Sequence, residues 1–325
     1  MHSNSSFVHI IVVNHNGSAI LEECLNAIQQ QTHNSYEIVV VDNGSVDDSV
    51  ALIQNNYPNI RLITLERNEG YAKAHNIALE QVFKEKPQVI ALVNTDVVLH
   101  KDWLLSILNF LEESDFDLVQ TLILKYEDPK RIDSAGIGVS RSLKFYDRQH
   151  GRPVRCLEGN TEIFGPCFAA AALKSHVFQS LRDEHGYLDK TLGSFYEDVD
   201  FSFRANSKGY KSALLAQPLC RHRRSHTADS HPFQKYFHLG RNYFLILAKH
   251  IPAHILFKSF PPLILERMAF CFRTIGHPRN FFGFTLGSII GLCRLLSRTI
   301  FVNDKRRQIP GKTRLIQKIR KSDYE

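Results

Sequence analysis

The residues of this chain able to do chemistry stand at the ends of apolar runs. In "ALVNTDVVLH" (91–100), Asn94 and Asp96 interrupt strand-forming residues. Residues i and i+2 of an extended chain project to the same side, so this amide and carboxylate can face one divalent cation or one sugar. Hard cations take oxygen ligands and often need only one or two carboxylates beside substrate phosphates. Asp42 closes "YEIVVVDNGS" (36–45), where a carboxylate can accept from a ribose hydroxyl or a base N–H. Glu197, Asp198 and Asp200 open "EDVDFSFRANSKGY". Acidic residues also stabilise a helix start by capping and dipole alone. Arg204 lies four residues after Asp200 and seven after Glu197 and can ion-pair with that face, which leaves Asp198 free as a base. His222 and His226 lie in "CRHRRSHT" among Arg221, Arg223 and Arg224. That grouping suits phosphate or metal, or is a solvated basic loop.

The elements that must position these residues follow from periodicity. "VHIIVVNHNG", "YEIVVVDNGS", "NIRLITLERNEG" and "QVIALVNTD" read as strands. "AILEECLNAIQ" reads as a helix with Leu21, Cys24, Leu25 and Ile28 on one face, and "YAKAHNIALEQVF" as another. Strands apolar throughout that alternate with helices predict a mostly parallel sheet covered on both faces. All four strands end in Asn, Asp or Gly. These are ordinary turn residues, yet ligands of open α/β sheets bind beyond the carboxyl ends of the strands, so the four tips together predict one site. Residues 121–165 read as irregular, 168–178 as strand then helix, 196–210 as a helix stopped by Gly209, and 211–217 as a short strand.

Charge divides the chain. Residues 1–230 carry 23 Lys and Arg against 29 Asp and Glu, whereas 231–325 carry 17 against 4. A basic tail predicts an anionic partner, either nucleic acid or a membrane surface. Within it, Phe233, Tyr236, Phe237, Gly240, Tyr243, Phe244, Leu247 and Ala248 form an amphipathic helical stripe. The longest apolar run, 281–293, is shorter than a membrane span. None of the six cysteines forms a C-x-x-C pair, which predicts reduced thiols in a cytoplasmic protein. The N-terminus enters a strand with no basic leader, so no signal peptide is expected.

The first strand tip, "NHNGSA", carries one glycine, against the three of a dinucleotide fingerprint, and no Walker loop is present. The stretches "IIVVNHNG", "EIVVVDNGSVDDS", "RNEGYAKAHNIAL", "ALVNTDVVL", "IDSAG", "FYEDVDFSFRANSKGY" and "RNYFLILAKH" together resemble the family 2 glycosyltransferases, in their bacterial rhamnosyltransferase-like branch. The resemblance runs in family order over about residues 7–250.

The resemblance implies a glycosyltransferase A-type fold, α/β, with a catalytic domain over 1–230 and a basic amphipathic helical region over 231–325. The donor side would comprise Val13, Asn14, Asn16, Asp42, Asn43, Asn68, Lys73, Asn94, Thr95 and Asp96. Asp96 and His222 would hold a divalent cation, Mg²⁺ or Mn²⁺. Asp198 would be the catalytic base, with Gly165, Glu197 and Asp200 on the acceptor side. Thr95 stands where the family usually has Pro, Lys73 where it has Gly, and Pro166 where it has Ala; Lys73 could bind a phosphate or narrow the donor pocket. The expected reaction is inverting transfer of a sugar, rhamnose favoured, from a dTDP- or UDP-linked donor to a glycan or lipid-linked acceptor in surface polysaccharide synthesis. The tail would lie on the anionic inner face of the cytoplasmic membrane or, for 232–249, pack on the catalytic domain. Competing readings are a nucleic-acid-binding protein, disfavoured because the tail's aromatics fall on its apolar face, and an inactive nucleotide-sugar-binding relative.

Overall fold

The computed structural model describes residues 6–156, 159–224 and 231–301. His226 and the terminal basic runs lie outside them. The chain begins with β1 (Val8–Asn14), α1 (Ser18–Gln29), β2 (Tyr36–Asp42), α2 (Ser49–Asn56), β3 (Arg61–Thr64), α3 (Tyr71–Val82) and β4 (Val89–Asn94). After a tight turn come β5 (Val97–Leu99), α4 (Trp103–Glu113) and β6 (Leu118–Lys125). Four short strands follow: β7 (Ile132–Ser134), β8 (Ile137–Val139), β9 (Phe145–Asp147) and β10 (Thr161–Ile163). The body closes with β11 (Ala170–Lys174), α5 (Ser175–Leu181), α6 (Glu197–Ser207) and β12 (Ser212–His222). Helices α7 (Pro232–His250), α8 (Ala253–Thr274) and α9 (Pro278–Phe301) complete it.

The main sheet has the order β10-β12-β6-β11-β4-β1-β2-β3, with β5 on β12 and β7 on β6. Its long strands are parallel except β11, which runs antiparallel between β4 and β6. The period-2 alternation of side chains divides the strand residues between two cores. Ile10, Val12, Val40 and Val93 pack with α1 and α4, while Ile11, Val39, Val41 and Leu92 pack with α3, α5 and α6. Leu21, Cys24, Leu25 and Ile28 of α1 are all buried, as their spacing predicts.

Two stretches differ from the sequence expectation. Strand β6 and the short strands β7–β10 occupy the region read as irregular. β6 carries Gln120 and Thr121 inward, and these polar residues broke the apolar pattern. Gln120 accepts from Cys167 N (2.6 Å) and donates to Ser134 O (3.2 Å), and Thr121 Oγ1 accepts from Trp103 Nε1 (3.1 Å). Strand β12 runs past Gln217 to His222, because Cys220, Arg221 and His222 pair with β5 on one side and β6 on the other. The supposed basic loop therefore begins inside a strand.

The helix α7 is part of the body by packing. Tyr243, Phe244, Leu245, Ile246 and Leu247 share a core with Leu192, Val199 and Phe203, and each fully buried aliphatic side chain contributes about 1.5–3 kcal/mol. Phe233, at the head of the predicted stripe, stays exposed. Asn242 Nδ2 donates to the carbonyls of Leu192, Ser194 and Phe195, each at 2.9 Å, tying α7 to the segment before α6. Against α7 lies α9, whose Gly283, Gly287 and Gly291 recur every fourth residue. A Cβ at these positions would meet Phe233 O at 2.4 Å, Phe237 O at 2.1 Å and Arg241 O at 2.6 Å. The seam is thus a backbone-to-backbone contact that only glycine permits, the small-residue packing common between membrane helices. The apolar run that read as 13 residues is the middle of this longer helix, and Pro278–Ser297 meets the length and mean hydropathy (1.3) of a membrane span.

Candidate active site

The parallel register brings the strand tips level. Asn14 of β1 lies opposite Asp42 of β2, Asp42 opposite Thr64 of β3, and Asn94 of β4 opposite Val13. At this edge the polar side chains first hold one another. Asn14 Nδ2 donates to Asp42 Oδ1 (2.9 Å) and Ser45 Oγ (3.1 Å), and Ser45 N donates to Asp42 Oδ2 (3.0 Å). Asn43 Nδ2 donates to Asn68 Oδ1 (3.1 Å), while Asn43 Oδ1 accepts from Glu69 N (2.9 Å). Asn14, Asp42 and Asn43 are buried. The amide nitrogens of Asn14 and Asn43 knit the loops after β1, β2 and β3 into one rim, while Asn14 Oδ1 is buried with no partner among the described residues. Val13, Asn16, Asn68 and Asn94 keep exposed surface there. Asn16 adopts a left-handed φ of 52° and accepts from Val46 N at 2.8 Å. The Lys73 ammonium pairs with Glu69 at 2.7 Å, four residues before it on the same rim.

Beyond β4 the chain turns through Thr95 and Asp96, both buried. His222, paired in register with Val97, places Nε2 3.2 Å from Asp96 Oδ1. Its Nδ1 donates to Asp133 Oδ2 at 2.8 Å. Asp133 comes from β7 and is also bound by the Arg224 guanidinium, which reaches on to Asp147 Oδ2 at 2.6 Å. Burial opposes charge on His222, but the hydrogen bonds it donates to Asp133 and Asp96 outweigh it and push its pKa up to about 9. Burial would raise Asp133, and the same His222 and Arg224 contacts hold it below the usual carboxylate range. A histidine whose Nδ1 is fixed by a carboxylate and whose Nε2 faces an aspartate is the arrangement that orients a metal-ligating imidazole. One carboxylate oxygen and one imidazole nitrogen fit a divalent cation whose remaining ligands come from outside the protein.

Asp198 opens α6 from the other side. Its Oδ1 accepts from Val199 N at 2.8 Å. Burial and the nearby Asp147 charge raise its pKa to about 6. Glu197 is buried with Oε1 unpaired, and burial drives its carboxyl well above the usual range. Tyr71 lies between the two acidic groups. Its hydroxyl lies 3.2 Å from both Asn94 Oδ1 and Phe168 O, and after burial the charges of Glu197, Asp198 and Asp96 all raise its pKa. Tyr71 thus contacts Asn94 and lies within electrostatic reach of both Asp96 and Asp198.

Asp200 and Gly165 are both buried. Asp200 is fully buried and bound by Arg204 (2.8 Å), Lys249 (2.8 Å) and His250 (2.8 Å). Burial alone would raise its carboxyl, but the Arg204 charge, the His250 hydrogen bond and the Lys249 charge hold it well below the usual range. It fastens α6 to α7. Gly165 is buried under α6, where a Cβ would lie 1.8 Å from Ser202 Oγ. Sequence reasoning assigned no role to Asp133, Asp147 or Tyr71, and read Arg224 only as part of a phosphate- or metal-binding or solvated basic loop. The one available signal was Asp133, a lone carboxylate beside Ile132 in "IDSAG".

Among the described residues, His9, Glu37 and Glu85 are the only three ligand-type groups close enough to share one ion. They lie at the opposite edge of the sheet. Arg61 bridges both carboxylates at 2.6 and 2.7 Å, so a permanent cation already fills that position.

A family description, glycosyl transferase family 2, matches residues 9–178, more than half of the chain. The chain is 29% identical over 124 residues to Glycosyltransferase AglE of Haloferax volcanii, covering 37% of this chain and 40% of that one. It therefore spans well under half of that relative. It is 23% identical over 247 residues to the O-antigen chain rhamnosyltransferase RfbN of Salmonella typhimurium, covering 72% of this chain and 71% of that one. Its fold is similar to S. aureus TarS 1-349, with TM-score 0.54 and 17% identity over 83% of this chain and 74% of that one. It is similar also to GalNAc-T7 solved with UDP, GalNAc and Mn²⁺, with TM-score 0.55 and 17% identity over 68% of this chain and 44% of that one. The α/β sheet with its level strand tips is the glycosyltransferase A-type fold, and the chain belongs to glycosyl transferase family 2, among rhamnosyltransferase-like relatives.

Proposed function

We propose that this chain is an inverting glycosyltransferase that moves a sugar, rhamnose first among the candidates, from a dTDP- or UDP-linked donor to a hydroxyl of a glycan or lipid-linked acceptor. The setting is surface polysaccharide synthesis at the cytoplasmic face of the membrane. The observation that carries this reading is Tyr71, which contacts Asn94 and feels the charges of both Asp198 and Asp96, the outer end of the Asp96–His222–Asp133 array. The reading is supported by the rhamnosyltransferase relative and by a fold neighbour solved with a nucleotide, a sugar and a cation.

Asp198 takes the proton of the acceptor hydroxyl. With its pKa raised to about 6 it is a stronger base than an ordinary aspartate and is still ionised at neutral pH. The hydroxyl oxygen forms the new bond to the anomeric carbon, and the bond to the donor's diphosphate oxygen breaks on the opposite face, which inverts the centre. Glu197 lies beside the base on the acceptor side. Val13, Asn16 and Asn68 line the nucleoside side, on the rim that Asn14, Asp42 and Asn43 hold in shape. Asn94, Thr95 and Asp96 face the sugar and diphosphate. A divalent cation, Mg²⁺ or Mn²⁺, held by Asp96 and His222, would supply charge stabilisation for the departing diphosphate. The expected domain arrangement becomes a catalytic body that includes α7, with α8 and α9 as the membrane-side layer.

The test is a thermal-shift screen of the full chain against nucleotide sugars with Mg²⁺ or Mn²⁺, followed by transfer assays with the best donor. A donor that both stabilises the protein and turns over is the expected result. Binding without turnover on any acceptor would leave a nucleotide-sugar-binding protein and overturn the enzymatic reading.

A further inference from the structure

Helices α8 and α9 expose large apolar side chains in stripes, not at scattered positions. On α8 and its C-cap these are Phe257 (78% exposed), Leu265, Met268, Phe272 and the capping Ile275, spaced by three, four or eight residues along one helical face. On α9, Phe282, Leu286 and Ile289 repeat the pattern. The α9 stripe is turned away from the face that carries the glycine seam against α7. The two helices meet near their shared turn, where the Phe270 and Phe284 rings lie 4.6 Å apart. Phe272, Ile275 and Phe282 thus crowd around one apex.

Exposed Lys258, Arg273, Arg279 and Arg294 flank these stripes, and none of them has a carboxylate partner among the described residues. Glu266 is the only acidic residue of α8 and α9, and Arg267 pairs with it at 3.3 Å. Apolar stripes edged by unpaired cations complement a bilayer interface with anionic headgroups.

We propose that the α8–α9 pair is a docking surface for an anionic lipid bilayer, lying in the plane of the interface with Phe272, Ile275 and Phe282 inserted and Arg273 and Arg279 at headgroup level. This deepens the membrane-side placement proposed above, and it relies on the transferase reading only for what the docked enzyme would act on. In-plane docking also accounts for why α9, though long enough to cross a bilayer, spends one face on α7. Through Asn242 and its bonds to the segment before α6, the docked surface is coupled to the helix that carries Asp198.

The experiment is flotation of the full chain with phosphatidylcholine vesicles, with and without phosphatidylglycerol. The wild type should float with the anionic vesicles and not with the neutral ones. A triple variant, Phe272→Ser, Ile275→Ser and Phe282→Ser, should lose about tenfold or more of that binding. Arg273→Glu with Arg279→Glu should reduce the anionic preference by about fivefold per charge. Donor-stimulated thermal shift, read in parallel, reports folding and the donor site independently. If it fails while flotation succeeds, the transferase reading falls and the docking surface stands. Wild-type flotation by the triple variant overturns the proposal. So does a stable dimer that the triple variant converts to monomer, or wild-type protein that alkaline carbonate cannot release from membranes.

Discussion

The two edges of the central sheet carry the same kinds of residue and put them to different ends. At the amino edge, His9, Glu37 and Glu85 come together, and Arg61 closes the group by binding both carboxylates. At the carboxyl edge, Asp96, His222, Asp133, Arg224 and Asp147 form a chain in which cations and carboxylates alternate. The difference is where the permanent cation sits. Arg61 stands in the middle of its cluster and satisfies it. Arg224 stands behind Asp133 and leaves the outer end, Asp96 with His222 Nε2, to a proton or a metal. A group of ligand-type residues becomes a candidate site when its fixed charges support one end and leave the other able to exchange.

The largest effect is expected at Asp198. Asp198→Asn should lower turnover by about 10³-fold with donor binding retained, measured by transfer rate and donor-induced thermal shift. The same variant should raise the melting temperature at pH 8 and change it little at pH 4. The native pKa of about 6 lies above the ordinary value, so the charged form is disfavoured in the fold only where Asp198 is ionised. Next comes Asp133→Asn, which removes the acceptor that fixes His222. It should raise the half-saturating Mn²⁺ or Mg²⁺ concentration by about 10–100-fold, read from cation titration of activity. A cation requirement unchanged in that variant would detach Asp133 from the site. Third, the transfer rate should fall about tenfold per pH unit below 6 as Asp198 takes up a proton, in a rate profile between pH 5 and 8. The smallest effect belongs to the amino edge. Glu85→Gln should leave activity and cation requirement unchanged and alter stability by about 1 kcal/mol or less, by denaturant titration. A lost cation requirement in that variant would erase the contrast between the edges.

Much of the site was legible because its residues end long apolar strands, where the local pattern breaks. Asp42, Asn94 and Asp96 announce themselves in this way, and so does the acidic start of α6. What the sequence hid depends on partners distant along the chain. Asp133 lies 89 residues from His222, and nothing local to three-residue β7 marks the pairing. Asp200 and Asp198 look alike in "EDVD", two residues apart on a helix. The spacing to Arg204 already singles out Asp200, and that pair forms at 2.8 Å. The arrival of Lys249 and His250 from α7, which makes Asp200 an anchor between helices, is not visible in the sequence. The family resemblance places Asn14 and Asn43 on the donor side. Their use on neighbouring loops follows from register, which composition does not carry.

The glycine seam sets where this chain can be cut. A fragment ending at His250 would look like a tidy catalytic core freed of its apolar helices, yet it would bare the backbone of α7 at Phe233, Phe237 and Arg241, where α9 now lies in direct contact. It would also unseat Phe284, whose carbonyl closes over Gly240. A well-behaved expression fragment must therefore retain α9 at least through Gly291, and solubility is better sought by replacing the outward-facing phenylalanines than by shortening the polypeptide.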